Sequence, residues 1–469
     1  MSASEQTRVE RDSLGEMEVP ATAYYGVQTV RAVGNFPISG RRVNPFMVRA
    51  AGCVKKAAAQ TNAANGRLPA EKADAIVRAA EEVTSGKLMD QFVVDAFQSG
   101  AGVSFHMNVN EVIANRAIEI LGGERGDYTI VHPNDHVNQG QSTNDVVPTS
   151  MRLAALMLLR EAGPCFRAAV DSLREKAEEF ESVIKSGRTH MMDATPVTLG
   201  QEFAAYADAI ERAVGALNDS ARHLRGLGIG ASAVGTGLNT FKGYRQEFVR
   251  RLCDITGLDL EPTPNLFEAT QSMAPFALVS GALKAVALET IRIANDFRLL
   301  GSGPMTGLAE LRLKALQPGS SIMPGKVNPV IPEMMAMVGF QVVGNDVSLS
   351  MAVQAGQLEL NVMMPLIAHD LLESIEILRN ALRVFAEKCV DPLQADEERC
   401  RRYAESSPSL ATILNLEIGY LNAADVVKKS LASGKTLKEV AVEEGYVTRE
   451  QAEALLRPEA LLGPDAEED

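Results

Sequence analysis

GALKAVALETIRIANDFRLL, residues 281–300, places Leu283, Val286, Thr290, Ile293, Phe297 and Leu300 at alternating steps of three and four. That spacing lays one stripe along one face of a helix with 3.6 residues per turn. Phe203, Tyr206, Ile210, Val214, Leu217 and Leu224 repeat it with steps of three or four and a single step of seven. Few segments alternate with period two. Long one-faced stripes with few breaks predict an all-α helical bundle. Faces such as AAYADAIERAVGALN (204–218) and GALKAVALETIRIAN (281–295) are apolar on more than one side. A monomeric bundle does not need that, so burial against other subunits is expected.

Composition narrows the function classes. The 60 acidic residues outnumber 46 basic ones, which disfavours a nucleic-acid partner. An anionic substrate must therefore meet a local positive site that the net charge of −14 hides. Cys53, Cys165, Cys253, Cys389 and Cys400 are scattered, with no CxxC pair. A zinc site or disulfide framework is not expected, and a reducing cytoplasm is the simplest compartment. MSASEQTRVERDSLGEMEVP lacks the apolar core of a signal peptide. No run approaches the ~18 continuous apolar residues of a membrane span.

Around the bundle the pattern changes. Residues 1–45, with Gly15, Pro20, Gly26, Gly34, Pro37 and Gly40, read as an irregular arm. YTIVHPNDHVNQGQSTNDVVP, 128–148, reads as a polar, turn-rich loop of the kind that carries chemistry. From about Cys400 the helices shorten into a small separate unit, ending in an acidic DAEED that reads as disordered.

Three polar segments are candidates for a site. GSSIMPGKVNP, 319–329, holds two serines, two glycines, two prolines, Lys326 and Asn328, and cannot be a regular helix. It reads as a flexible loop over an anionic substrate, with Lys326 as point charge and Asn328 as donor. GRTHMMDA, 187–194, sets His190 in a Gly-bounded turn. Ser142, Thr143 and Asn144 are three consecutive short polar side chains able to line a carboxylate pocket, although such runs are more often turns or helix caps. HPNDH has two His four apart, but Pro133 between them disfavours a helical metal-ligand pair.

GSSIMPGKVNPVIPE, 319–333, resembles the shared fingerprint of the aspartase/fumarase superfamily. AYYGVQTVRAVGNFPISG (23–40), MDQFVVDAFQSGAG (89–102), MNVNEVIANRA (107–117), HPNDHVN (132–138), QSTND (141–145), GRTH (187–190) and QLELNVM (357–363) follow in family order. GAG at 100–102, Thr143 and NPVIPE look most like aspartate ammonia-lyases. The resemblance implies three domains, residues 1–141, 142–397 and 398–469, with a long central bundle. It implies a homotetramer whose active sites are shared between three subunits, acting on a small dicarboxylate without metal or cofactor, nucleic acid or membrane.

The implied reaction is reversible elimination of ammonia from L-aspartate to give fumarate. Ser320 would remove the C3 proton. Lys326, Asn328 and Thr189 would hold the C1 carboxylate, and Ser142, Thr143 and Ser321 the carboxylate beside the abstracted proton. Asn144 and His190 would face the leaving group, with Glu333 supporting His190, and Val103 and Met323 would also touch substrate. Proton removal beside a carboxylate yields an aci-carboxylate with two negative charges, which converging donors in a dry pocket stabilise. Five positions depart from the family pattern: Val103 replaces Thr, His106 Asn, Met192 Gln, Met305 Arg, and Met364 Glu or Lys. They keep open a lyase acting on another 2-substituted succinate, such as an N-substituted aspartate. Fumarate hydratase and a catalytically silent homologue are the remaining alternatives.

Overall fold

A computed structural model describes residues 6–462; the DAEED tail lies outside them. Helices dominate, and each of the short strands pairs with only one other. The chain divides into two compact units. One comprises Met1–Pro164, Ala213–Ala287 and Phe340–Arg379, the other Cys165–Arg212, Leu288–Gly339 and Asn380–Asp469.

The first unit corrects the reading of the N-terminal arm. Thr7–Asp12 and Gly15–Pro20 form an antiparallel hairpin, followed by the helix Val27–Asn35. The hydrophobic pattern is inverted there: Val9 is exposed while Glu10 is buried. Glu10 accepts hydrogen bonds from Arg8, the Val27 N–H and the Tyr128 hydroxyl at 2.8–2.9 Å. A buried carboxylate thus replaces the apolar residue that period-two reading looks for. Glu111, on the helix Val103–Ile120, accepts from the N–H groups of Gly26, Gln28 and Thr29 and from the Thr29 hydroxyl, tying the arm to that helix. Val103–Ile120 packs on Ala70–Thr84, which packs on Pro45–Ala64.

The polar stretch is also shorter than its sequence reads. The helix Thr143–Glu179 begins before Pro148 and carries Pro148 and Pro164 within it. Pro148 is the sixth residue of the helix and Pro164 lies mid-helix, so each removes one i→i−4 hydrogen bond, to the carbonyls of Asn144 and Arg160.

In the second unit Phe180, Phe203, Tyr206, Phe297 and Phe385 form one aromatic cluster, with ring centroids 5.3–6.0 Å apart. A smaller core gathers Leu410, Leu414, Val426, Val440, Ala441 and Leu456. Capping boxes at Thr436/Glu439 and Thr448/Gln451 start its short helices, each worth about 1 kcal/mol.

The helices Ala274–Leu300 and Val330–Gln354 are long and apolar enough, by length and mean hydropathy, to cross a membrane. Charges at Lys284, Glu289, Arg292 and Asp346 interrupt them. Leu278, Leu288, Met337, Phe340, Val347 and Met351 on these helices are half or more exposed. Large exposed apolar faces of this kind mark contact surfaces.

Candidate active site

The loop 319–329 closes on itself. The Gly319 N–H donates to the Lys326 carbonyl at 2.8 Å, and Asn328 donates an amide hydrogen to the Gly319 carbonyl at 2.7 Å. A Cβ at residue 319 would sit 2.6 Å from the Lys326 oxygen, so only glycine fits. Gly325 turns the chain with φ +79°, a left-handed conformation that glycine adopts without strain.

Within this ring the Ser320 Oγ accepts from the backbone N–H groups of Ile322 (3.2 Å) and Met323 (3.0 Å). Two donors on a hydroxyl oxygen stabilise its alkoxide more than its neutral form, which is what a serine acting as base requires. Ser320 is half-buried, and Ser321, Met323 and Lys326 are exposed on the same loop. A cavity of about 410 Å³ lies beside it, lined by Gly303, Arg312, Lys326, Val327 and Asn328. Glu333 follows in the first turn of Val330–Gln354. Among the described residues no hydrogen bond or ion pair joins Glu333 to His190 within the chain.

GRTH is a hairpin rather than a simple turn. Ile184–Thr189 pairs antiparallel with Met192–Thr198, and His190 and Met191 form the two-residue tip. Both tip residues have positive φ, 55° and 62°. Hairpin tips of that shape favour Asn and Gly, and each ordinary residue there costs about 1–2 kcal/mol. Strain held at a tip needs an anchor in the adjoining strands. Glu310, fully buried, supplies it: Arg188 donates to both its oxygens, at 3.0 and 2.8 Å, and Lys185 lies 3.2 Å away. Thr189 and His190 are thereby presented exposed.

The first unit holds the remaining candidates. Val103 opens the helix Val103–Ile120 after a tight GAG turn, and its side chain is 43% exposed, enough to be touched by a ligand. It borders a cavity of about 730 Å³ that also takes in Arg11, Arg31, Ser104 and His132. Ser142 caps the helix Thr143–Glu179. Its Oγ accepts from the Asn144 N–H, and its own N–H donates to Asp145 Oδ1. The Asn144 amide donates to the Ala233 carbonyl at 2.7 Å. Thr143 Oγ1 lies 2.7 Å from His106 Nδ1. Met192 and Met305 are exposed and Met364 is buried.

Three groups here escaped the sequence reading. Lys55 is fully buried, its Nζ 2.8 Å from His106 Nε2. Asp145 is buried and accepts three backbone N–H groups, from Ser142, Gly230 and Ser232. Glu310 anchors the hairpin. The only signal for Lys55 was a charge in the apolar run AGCVKKAAAQ, where Lys56 looks identical.

Residues 15–344 match the family model described as Lyase, and residues 410–463 match that of the Fumarase C C-terminus. The chain belongs to the aspartase/fumarase family of lyases. Aspartate ammonia-lyase of Bacillus subtilis is 44% identical over 99% of this chain and 98% of its own length. Fumarate hydratase class II of Halobacterium salinarum is 49% identical over 98% and 97%. The structure of the fumarate lyase:delta crystallin of Brucella melitensis bound to cobalt superposes with a TM-score of 0.95 at 48% identity, covering 98% of this chain and all of that one. The all-α fold is therefore the family's own. Relatives named for ammonia and for water elimination are about equally similar, so identity establishes a lyase of this family and leaves the departing group open.

Proposed function

We propose that the protein catalyses reversible elimination of ammonia from L-aspartate, giving fumarate, with Ser320 as the base. The observation that carries this reading is the Ser320 Oγ held by the Ile322 and Met323 N–H groups, on a loop that also carries Lys326. The Ser320 alkoxide takes the C3 proton, and the C3–H electron pair moves into the adjacent carboxylate as an aci-carboxylate. That intermediate collapses to the C2–C3 double bond as the C2–N bond breaks and ammonia leaves with its bonding pair. The proton on Ser320 then passes to solvent, and charge balances as fumarate and ammonium.

In this reading Lys326, Asn328 and Thr189 hold the C1 carboxylate, and Ser142, Thr143 and Ser321 the one that accepts charge. His190, supported by Glu333, and Asn144 face the amine, and Val103 and Met323 complete the contacts. Val103–Asn144 and Thr189–Glu333 belong to different units. The exposed apolar residues of Ala274–Leu300 and Val330–Gln354 support a homotetramer in which three subunits build each site.

A second reading has a specific support. Val103, Met192 and Met305 set exposed apolar side chains where the family pattern has polar ones, which suits a less polar leaving group on the succinate. Absorbance of fumarate, recorded with aspartate, malate and a panel of N-substituted aspartates, tests both readings. Turnover of aspartate above the others supports ammonia-lyase activity. Preference for an N-substituted aspartate replaces it with the second reading, and preference for malate makes the protein a hydratase.

A further inference from the structure

Thr143 is the one proposed carboxylate ligand whose hydroxyl is tied to a buried proton-carrying chain. Its Oγ1 lies 2.7 Å from His106 Nδ1, and His106 Nε2 lies 2.8 Å from Lys55 Nζ. We propose that Lys55 and His106 are positioning residues that fix the polarity of this chain, so that the Thr143 hydroxyl hydrogen points at the substrate carboxylate. The proposal rests on the lyase reading above.

The polarity follows from counting donors. Lys55 Nζ faces three acceptors: His106 Nε2, Asn138 Oδ1 at 2.9 Å and Gln141 Oε1 at 3.0 Å. An ammonium has three hydrogens and no lone pair, so the three acceptors use it fully. His106 Nε2 then carries a lone pair. Burial, and next the Lys55 charge, hold the His106 imidazole well below the usual histidine range, so it is neutral and has one hydrogen. That hydrogen is on Nδ1 and is donated to Thr143 Oγ1. With one lone pair so occupied, the hydroxyl hydrogen is turned away from His106 and is available to a carboxylate.

The charge on Lys55 has a counter-ion. Burial pulls the Lys55 ammonium well below the usual lysine range, and Asp145 acts against that pull without cancelling it. Burial raises the Asp145 carboxyl to about 6, against the Ser142, Gly230 and Ser232 N–H groups at 2.9–3.1 Å, contacts that favour its anion, so it is ionised at neutral pH. A neutral Lys55 reverses every link. Nε2–H would donate to Nζ, Nδ1 would take the Thr143 hydrogen, and Thr143 would offer a carboxylate only lone pairs. A bound dicarboxylate therefore selects the first polarity. The sequence feature behind it is His106, where the family pattern has Asn; a neutral imidazole and an amide each offer a donor group beside an acceptor.

The test is a rescue series with a double-mutant cycle, read as fumarate formation. His106→Asn should stay within about three-fold of wild-type kcat/KM, since Asn can accept from Lys55 and donate to Thr143. His106→Leu should lose about thirty-fold, mostly in kcat, because the carboxylate held by Thr143 gains its charge in the transition state. In a Thr143→Val background the same His106→Leu change should cost almost nothing more. An equal loss in both backgrounds, or His106→Asn as damaged as His106→Leu, would overturn the proposal. Histidine-selective 15N NMR of the wild-type protein reads the polarity without turnover, and should show His106 as the Nδ1–H tautomer. An Nε2–H tautomer overturns the proposal even if every variant misfolds. Wild-type protein that forms no fumarate from any succinate defeats the lyase reading instead, and the tautomer still decides the chain's polarity.

Discussion

Arg188 grips the fully buried Glu310 with both terminal guanidinium nitrogens, at 3.0 and 2.8 Å. This pair anchors the strand two residues before the hairpin tip at His190, and it holds two positive-φ residues in place. Removing Arg188 leaves the buried Glu310 with Lys185 as its remaining cation, so the cost is below the ~3–5 kcal/mol of a fully uncompensated buried charge. Arg188→Leu should therefore lower the melting temperature and speed hydrogen exchange across residues 184–198. It should also lower kcat, although Arg188 is not assigned to substrate. Wild-type melting and exchange would show that the pair does not anchor the hairpin.

Val103 begins its helix with an exposed β-branched side chain, so Val103→Thr changes polarity with little change in shape. If aspartate is the substrate, the recovered hydrogen bond, about 1.4 kcal/mol, should raise kcat/KM for aspartate about ten-fold. If the leaving group is less polar, the change should lower activity on that substrate. A uniform null across the N-substituted panel would place Val103 outside the pocket.

Much of the fold was legible in sequence because its helices bury one clean stripe each. Leu283, Val286, Thr290, Ile293, Phe297 and Leu300 are all buried. The N-terminal hairpin was not legible, because the inward positions of its first strand are Arg8, Glu10 and Asp12 rather than apolar residues. The same physics hid Lys55: a buried amine satisfied by residues 51 to 90 positions away leaves no local pattern. Ser320 and its loop stood out because Gly, Pro, Ser and Lys together exclude a helix. The run 142–144 was legible as polar but not in its division of labour, with Ser142 capping, Thr143 at His106 and Asn144 on a backbone carbonyl.

Arg116 donates to both oxygens of Glu82, joining Ala70–Thr84 to the helix that carries Val103 and His106. The Arg116 hydrogen bonds hold the Glu82 carboxyl below its usual 4.5, although burial opposes them. A depressed carboxyl contributes stability above its unfolded pKa and loses it as pH falls through the folded value. The stability gap between wild type and Arg116→Leu should therefore be full above pH ~4.5, about 1–2 kcal/mol, and close at lower pH. Urea midpoints from pH 3 to 7 measure it; a gap that stays constant or widens in acid would show that Glu82 is not the partner that matters.

A homotetramer of about four times the 50.3 kDa chain should appear by light scattering. Ser320→Ala and Thr143→Val chains, each strongly impaired alone, should regain activity when unfolded together and refolded. If the two residues reach each site from different subunits, about a quarter of the sites in a random mixture are intact. No recovery in mixed tetramers would mean that both come from one chain.

The assignment of Ser320 as the base is tested most directly by fumarate absorbance with Ser320→Ala. The side chain is small and lies on a loop closed by backbone bonds, so the tetramer and its melting temperature should be unchanged. The account predicts that kcat on the best succinate substrate falls by about a thousand-fold or more, as loss of a proton-abstracting base requires. A variant keeping more than about a tenth of wild-type kcat, a barrier change below ~1.4 kcal/mol, would contradict it.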